Sequence, residues 1–90
     1  MNVRTDKPGF SFPETLALKI FSDSSEYEIL KKTISGIFDK NNLKYGKWSS
    51  KRSRKGNYLS VTVKTTFPDM KTMKKVYSEI YSLENIISVI

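Results

Sequence analysis

From Glu14 to Phe21 apolar and polar residues alternate: Leu16, Leu18 and Ile20 fall on one side of the chain, Thr15, Ala17 and Lys19 on the other. Period two over this length predicts a strand with one buried face, broken by Ser22-Asp23-Ser24. The period then lengthens. Tyr27, Leu30, Ile34, Ile37 and Phe38 recur at helical spacing, with Glu26, Lys31, Lys32, Ser35 and Asp39 opposite them, as an amphipathic helix requires. Ser25 followed three residues later by Glu28 fits a capping box at its start, and Asn41-Asn42 supplies a stop. Residues 43–52 alternate poorly and are rich in lysine, which suits an edge strand.

Arg54-Lys55-Gly56-Asn57 has the composition of a hairpin turn. Beyond it Leu59, Val61 and Val63 point inward and Tyr58, Ser60, Thr62 and Lys64 outward, the clearest strand in the chain. Phe67-Pro68-Asp69 predicts a second helix start, with proline in the first turn and an acid at the positive end of the helix dipole. Its apolar stripe is Met70, Met73, Val76, Tyr77 and Ile80; the two methionines are core rather than a binding face. Asn85 closes that helical unit, and residues 86–90 form a short last strand.

The order β-α-β-β-α-β predicts an α+β, ferredoxin-like sandwich: a four-stranded antiparallel sheet with both helices on one face. Right-handed crossovers give the strand order 4-1-3-2. Residues 12–90 form one domain, and the polar, aperiodic residues 1–11 a flexible tail. Short and uncharged, the last strand either fills the core or offers an edge to a second copy, a homodimer.

Composition narrows the chemistry. Cysteine and histidine are both absent, which removes thiolates, disulfides, the usual zinc ligands and the commonest general base. No acid pair is spaced for general acid-base work, and the glycines lack phosphate-loop spacing. The expectation is a protein that is not an enzyme and uses no cofactor or metal. No apolar run is long enough to span a bilayer, and no signal peptide precedes the first strand, so a cytoplasmic location without membrane contact is expected.

Sixteen basic residues against nine acidic ones, a net charge of +7, favour anionic partners. The excess is densest between Lys44 and Lys55, where Lys47, Lys51, Arg52, Arg54 and Lys55 are interleaved with Tyr45 and Trp48 and no acid intervenes. Cations release counterions from phosphates and rings stack on bases, so this pattern suits nucleic acid. A solvated edge strand with Trp48 as packing produces the same pattern, and so does a docking surface for an acidic protein. Lys47, Trp48, Lys51, Arg52, Arg54 and Lys55 are the candidate contact residues. The usual RNA-recognition signature is excluded: in the register of Lys55-Gly56, Asn57, Leu59 and Thr62 occupy the positions where aromatic rings are required.

Phe12-Pro13 before a strand ending Leu18-Lys19-Ile20, the run Ser53-Arg54-Lys55-Gly56-Asn57-Tyr58 leading into Ser60-Val61-Thr62, and Val76-Tyr77-Ser78-Glu79-Ile80 together resemble the YbeD-like family of small bacterial proteins of unknown function. The resemblance covers the chain from about Phe12 onward. It implies a ferredoxin-like fold similar to ACT regulatory domains and a proposed regulatory role loosely connected with lipoate metabolism, with no catalytic residues to carry over. An ACT-type effector would sit at the loop Ser22-Asp23-Ser24-Ser25. That loop has no glycine to let backbone approach a ligand, and helix capping accounts for its serines. A regulatory or adaptor domain binding a protein partner or small effector is the leading expectation. Nucleic acid, RNA in particular, bound through the basic hairpin is the alternative.

Overall fold

In a computed structural model, which describes residues 11–23 and 26–90, the chain runs β1 (Glu14–Ser22), α1 (Tyr27–Lys40), β2 (Lys44–Arg52), β3 (Leu59–Phe67), α2 (Met70–Tyr81) and β4 (Ile86–Val89). The four strands form one antiparallel sheet in the order β2-β3-β1-β4, the expected arrangement. α1 packs on β2 and β3, and α2 on β3 and β4. The flexible tail falls largely, and Ser25 wholly, outside the described residues; the capping box expected there is not the start of α1, whose N-cap is Glu26 with no side-chain cap hydrogen bond.

β1 and β3 pair in unbroken register, Leu18 facing Val63 and Ile20 facing Val61. Their inward positions meet the helical stripe of Leu30, Ile34, Ile37, Phe38, Met73, Val76 and Ile80 in one core. The outward positions of β1 to β3 remain uncovered by helices, and among them Lys19, Lys44, Lys51 and Lys64 are charged while none is acidic. The sheet thus has one apolar face and one basic face.

α1 ends in a Schellman motif. Asn42 takes φ 59°, its N–H donates to Asp39 O, and the Leu43 N–H donates to Phe38 O at 3.0 Å. This buries Leu43 just ahead of β2. The second helix begins one step later than the sequence suggests: Phe67 is the last, fully buried residue of β3, and Pro68 precedes the cap. Asp69 is the N-cap, its carboxylate accepting from the Thr72 N–H at 2.7 Å. Proline fits there because a residue ahead of the cap has no helical hydrogen bond to lose.

β2 owes its poor alternation to a bulge. Between the pairs Gly46–Lys64 and Ser49–Thr62, β2 carries one extra residue, and Lys47 adopts a left-handed φ of 54°. The insertion turns Tyr45 and Trp48, three residues apart, onto the helix side. There Phe38 lies 5.1 Å from Tyr45 and 6.2 Å from Trp48 between ring centroids. β4 buries Val89 but leaves Ile87 and Ile90 54% and 68% exposed at the opposite edge. Ile90 extends the ladder beyond the strand by exchanging both backbone hydrogen bonds with Lys19 at 2.8 Å.

Candidate functional site

The hairpin joining β2 to β3 is closed by backbone chemistry. Ser53 N–H donates to Tyr58 O at 2.9 Å, Gly56 N–H donates to Ser53 O at 2.9 Å, and the Tyr58 N–H donates to Ser53 Oγ. Gly56 sits at φ 73°, a left-handed conformation in which a Cβ is strained. The Ser60 hydroxyl donates to Lys51 O across the ladder. These contacts fix Tyr58 at the point where the chain re-enters the sheet, with its ring 42% exposed on the open face.

Beside it, on the neighbouring strand, is Phe21. Strand parity places Phe21 outward with Lys19, and its partner across β3 is Ser60. The Phe21 and Tyr58 rings meet edge to face, 5.9 Å apart and inclined at 69°. Lys19 Nζ stands 5.9 Å from the Phe21 centroid, a cation–π distance. The two rings form the apolar part of a half-open cavity of about 580 Å³. Its charged wall is Lys19, Lys51 and Arg54, its polar floor is Ser53 and Ser60, and Arg52, paired with the inward Leu59, touches it only at the margin. A smaller hollow of about 240 Å³ continues it toward β4, between Phe21, Tyr58, Ile87 and Ser88.

The structure therefore divides the six residues singled out by sequence. Lys51 and Arg54 line the cavity, while Arg52 reaches only its margin, its register partner being the inward Leu59. Lys47 lies instead beside a separate hollow near Lys44 and Lys64. Lys55 is exposed at the hairpin tip. Trp48 is on the other side of the sheet, half-buried, with Lys31 Nζ 5.8 Å from its ring and the same distance from that of Tyr27. Phe21, Lys19 and Tyr58 are site residues the charge pattern does not reveal. A signal for Phe21 exists all the same: it is a large aromatic at an outward, polar-parity position of a strand.

The helix layer carries a different electrostatic pattern. Glu79 of α2 accepts from Lys40 Nζ at 2.7 Å and from Asn41 Nδ2 at 2.9 Å, latching the end of α1 to α2. The Lys40 contact first, then that of Asn41, holds the Glu79 carboxyl below its ordinary pKa. The Tyr45 hydroxyl donates to Asp39 at 2.9 Å, and that bond raises the pKa of its phenol. Asp39 and Glu79 thus find partners on the helix side, while the outward positions of β1 to β3 stay basic. No cluster of three potential metal ligands occurs among the described residues, and no helix there is long and apolar enough to cross a membrane.

Over residues 7–90 the sequence matches the family described as "Protein of unknown function (DUF493)". No curated protein matches it. Among solved structures the fold is similar to protein HP0495 of Helicobacter pylori, at TM-score 0.73 and 11% identity over 97% of this chain and 91% of that one. It is also similar to the C-terminal domain of the MgtC protein from Mycobacterium tuberculosis, at TM-score 0.71 and 6% identity over 84% and 82%. The ACT domain of a GTP pyrophosphokinase from Chlorobium tepidum superposes at TM-score 0.65 and 6% identity over 84% and 94%. These likenesses establish a ferredoxin-like, ACT-type fold.

Proposed function

The chain belongs to the family of proteins of unknown function designated DUF493, and from that premise we propose that it is a non-catalytic regulatory or adaptor domain, acting in the cytoplasm by binding an anionic partner on the open face of its sheet. One observation carries the reading: a cavity of about 580 Å³ in which Lys19, Lys51 and Arg54 surround the exposed Tyr58 and the half-buried Phe21, on a face whose outward positions hold no acid. Catalysis is disfavoured by the inventory of side chains, which contains neither histidine nor cysteine. The YbeD-like resemblance links such a role loosely with lipoate metabolism. The ACT-type fold is consistent with it, since domains of this architecture present a sheet face and loops to a ligand.

The test is affinity capture with immobilised wild-type protein and a Lys51→Glu/Arg54→Glu variant whose fold is checked by circular dichroism. The wild type is expected to retain a partner that the folded variant loses. Equal retention by both would remove this face as the contact surface. A partner class common to neither bait would remove the adaptor reading itself. A second copy of the chain is the other occupant suggested by geometry, at the edge of β4 where Ile87 and Ile90 are exposed; sedimentation equilibrium across a concentration series reads it directly.

A further inference from the structure

The partner's chemistry can be narrowed from the composition of the cavity; the step rests on the open face being the contact surface. Two features occur together there. Lys19, Lys51 and Arg54 supply positive charge to the wall of a concave site, and Tyr58 is 42% exposed while its ring meets that of Phe21 beside it edge to face. Cations alone would suit any polyanion. An aromatic pair in their midst adds a planar, apolar surface that an acidic peptide has no means of using along its whole length.

Single-stranded nucleic acid alternates the two complementary elements, a planar base and a phosphate, along each unit of its chain. We propose that this cavity is a binding site for single-stranded nucleic acid, with a base stacked on Tyr58 beside Phe21, and phosphates held by Lys19, Lys51 and Arg54. The strand continues along the outward positions of β3 toward Lys64 and Lys44, which flank a second hollow on the same face. The geometry excludes a duplex from this mode, because paired bases are stacked on one another and present no face to Tyr58. Sequence preference is expected to be weak, since every base has a face that stacks.

The experiment uses the full chain and fluorescein-labelled single-stranded RNA and DNA of mixed sequence, about ten nucleotides long, followed by anisotropy. An amide NMR titration of the labelled protein maps the contact. Shifts are expected at Lys19, Phe21, Lys51 to Arg54 and Tyr58. If all three cations meet phosphate, the affinity falls about twentyfold between 50 and 200 mM salt, from a slope of about −0.7 per contact. Tyr58→Ala should weaken binding about tenfold or more and Tyr58→Phe should leave it nearly unchanged, because the ring and not the hydroxyl stacks. Lys71→Glu, on α2 and away from this face, should change little.

Several results would overturn the assignment. One is no binding of either strand at near-physiological salt; another is a duplex bound as tightly as the single strand. Tyr58→Ala binding as well as wild type, with a native amide spectrum, would remove the stacking role. Poly-glutamate competing as well as RNA at equal charge would show an unselective anion surface and point to an acidic protein. In each of these cases the broader adaptor reading survives if affinity capture still yields a partner that Lys51→Glu/Arg54→Glu loses.

Discussion

Thr65 offers the sharpest test of how the core is built. It lies within β3, faces inward between Leu16 of β1 and Tyr45 of β2, and is 0% exposed. Its Oγ1 has no hydrogen-bond partner among the described residues. A hydroxyl taken out of water without compensation costs about 1–3 kcal/mol. Thr65→Val replaces that oxygen with a methyl of similar shape and keeps the β-branch that suits a strand. The site is tightly enclosed, so part of the gain is lost in accommodating the methyl. A net stabilisation of about 1–2 kcal/mol is expected. For a domain of this size that raises the thermal midpoint by roughly 5–12 °C.

Thermal unfolding followed by circular dichroism and urea titration both read this change, with an unchanged urea m-value as the mark of a native-state effect. The neighbouring Thr66 is an internal control. Its hydroxyl is on the open face and shares a 2.8 Å hydrogen bond with Thr15. Thr66→Val should therefore be neutral or destabilising by up to about 1 kcal/mol. A Thr65→Val protein less stable than wild type would refute the reasoning, since it would mean that the buried hydroxyl is satisfied.

Three further predictions follow from particular contacts. Trp48→Ala should cost about 2–3 kcal/mol, because the ring packs on Phe38 and Tyr45, whereas Lys55→Glu at the hairpin tip should stay within about 0.5 kcal/mol of wild type; chemical denaturation distinguishes the two. Lys47→Gly should stabilise by about 0.5–1 kcal/mol by relieving a side chain held at φ 54°, and Lys47→Val should do the opposite; thermal midpoints report both. The Glu79 pKa is depressed in the folded protein by Lys40 and Asn41, so its contribution is present above the ordinary carboxylate range and disappears as pH falls through the lowered value. Urea midpoints of wild type and Glu79→Gln should accordingly differ near pH 7 and converge as the pH falls below the lowered carboxyl value.

The periodicities and turns of this chain are encoded locally and were legible for that reason, whereas the helix starts shifted by a residue, to N-caps at Glu26 and Asp69. Alternation at Leu16, Leu18 and Ile20 and helical spacing from Leu30 to Phe38 reflect the geometry of the elements themselves, and Asn41-Asn42 and Lys55-Gly56 mark ends that neighbouring residues create. From those elements the sheet order follows by the handedness of crossovers. The candidate site belongs to a different level. Phe21 and Tyr58 lie on separate strands, and only the β1–β3 register sets their rings 5.9 Å apart.

The bulge at Lys47 likewise depends on pairing with β3. It reverses the parity of β2 and takes Trp48, a member of the basic run, to the helix side of the sheet. Charge density along the sequence marks the hairpin as basic. Which of its residues share a cavity was decided by register and pleat, because a shift of one position sends a side chain to the opposite face of a sheet.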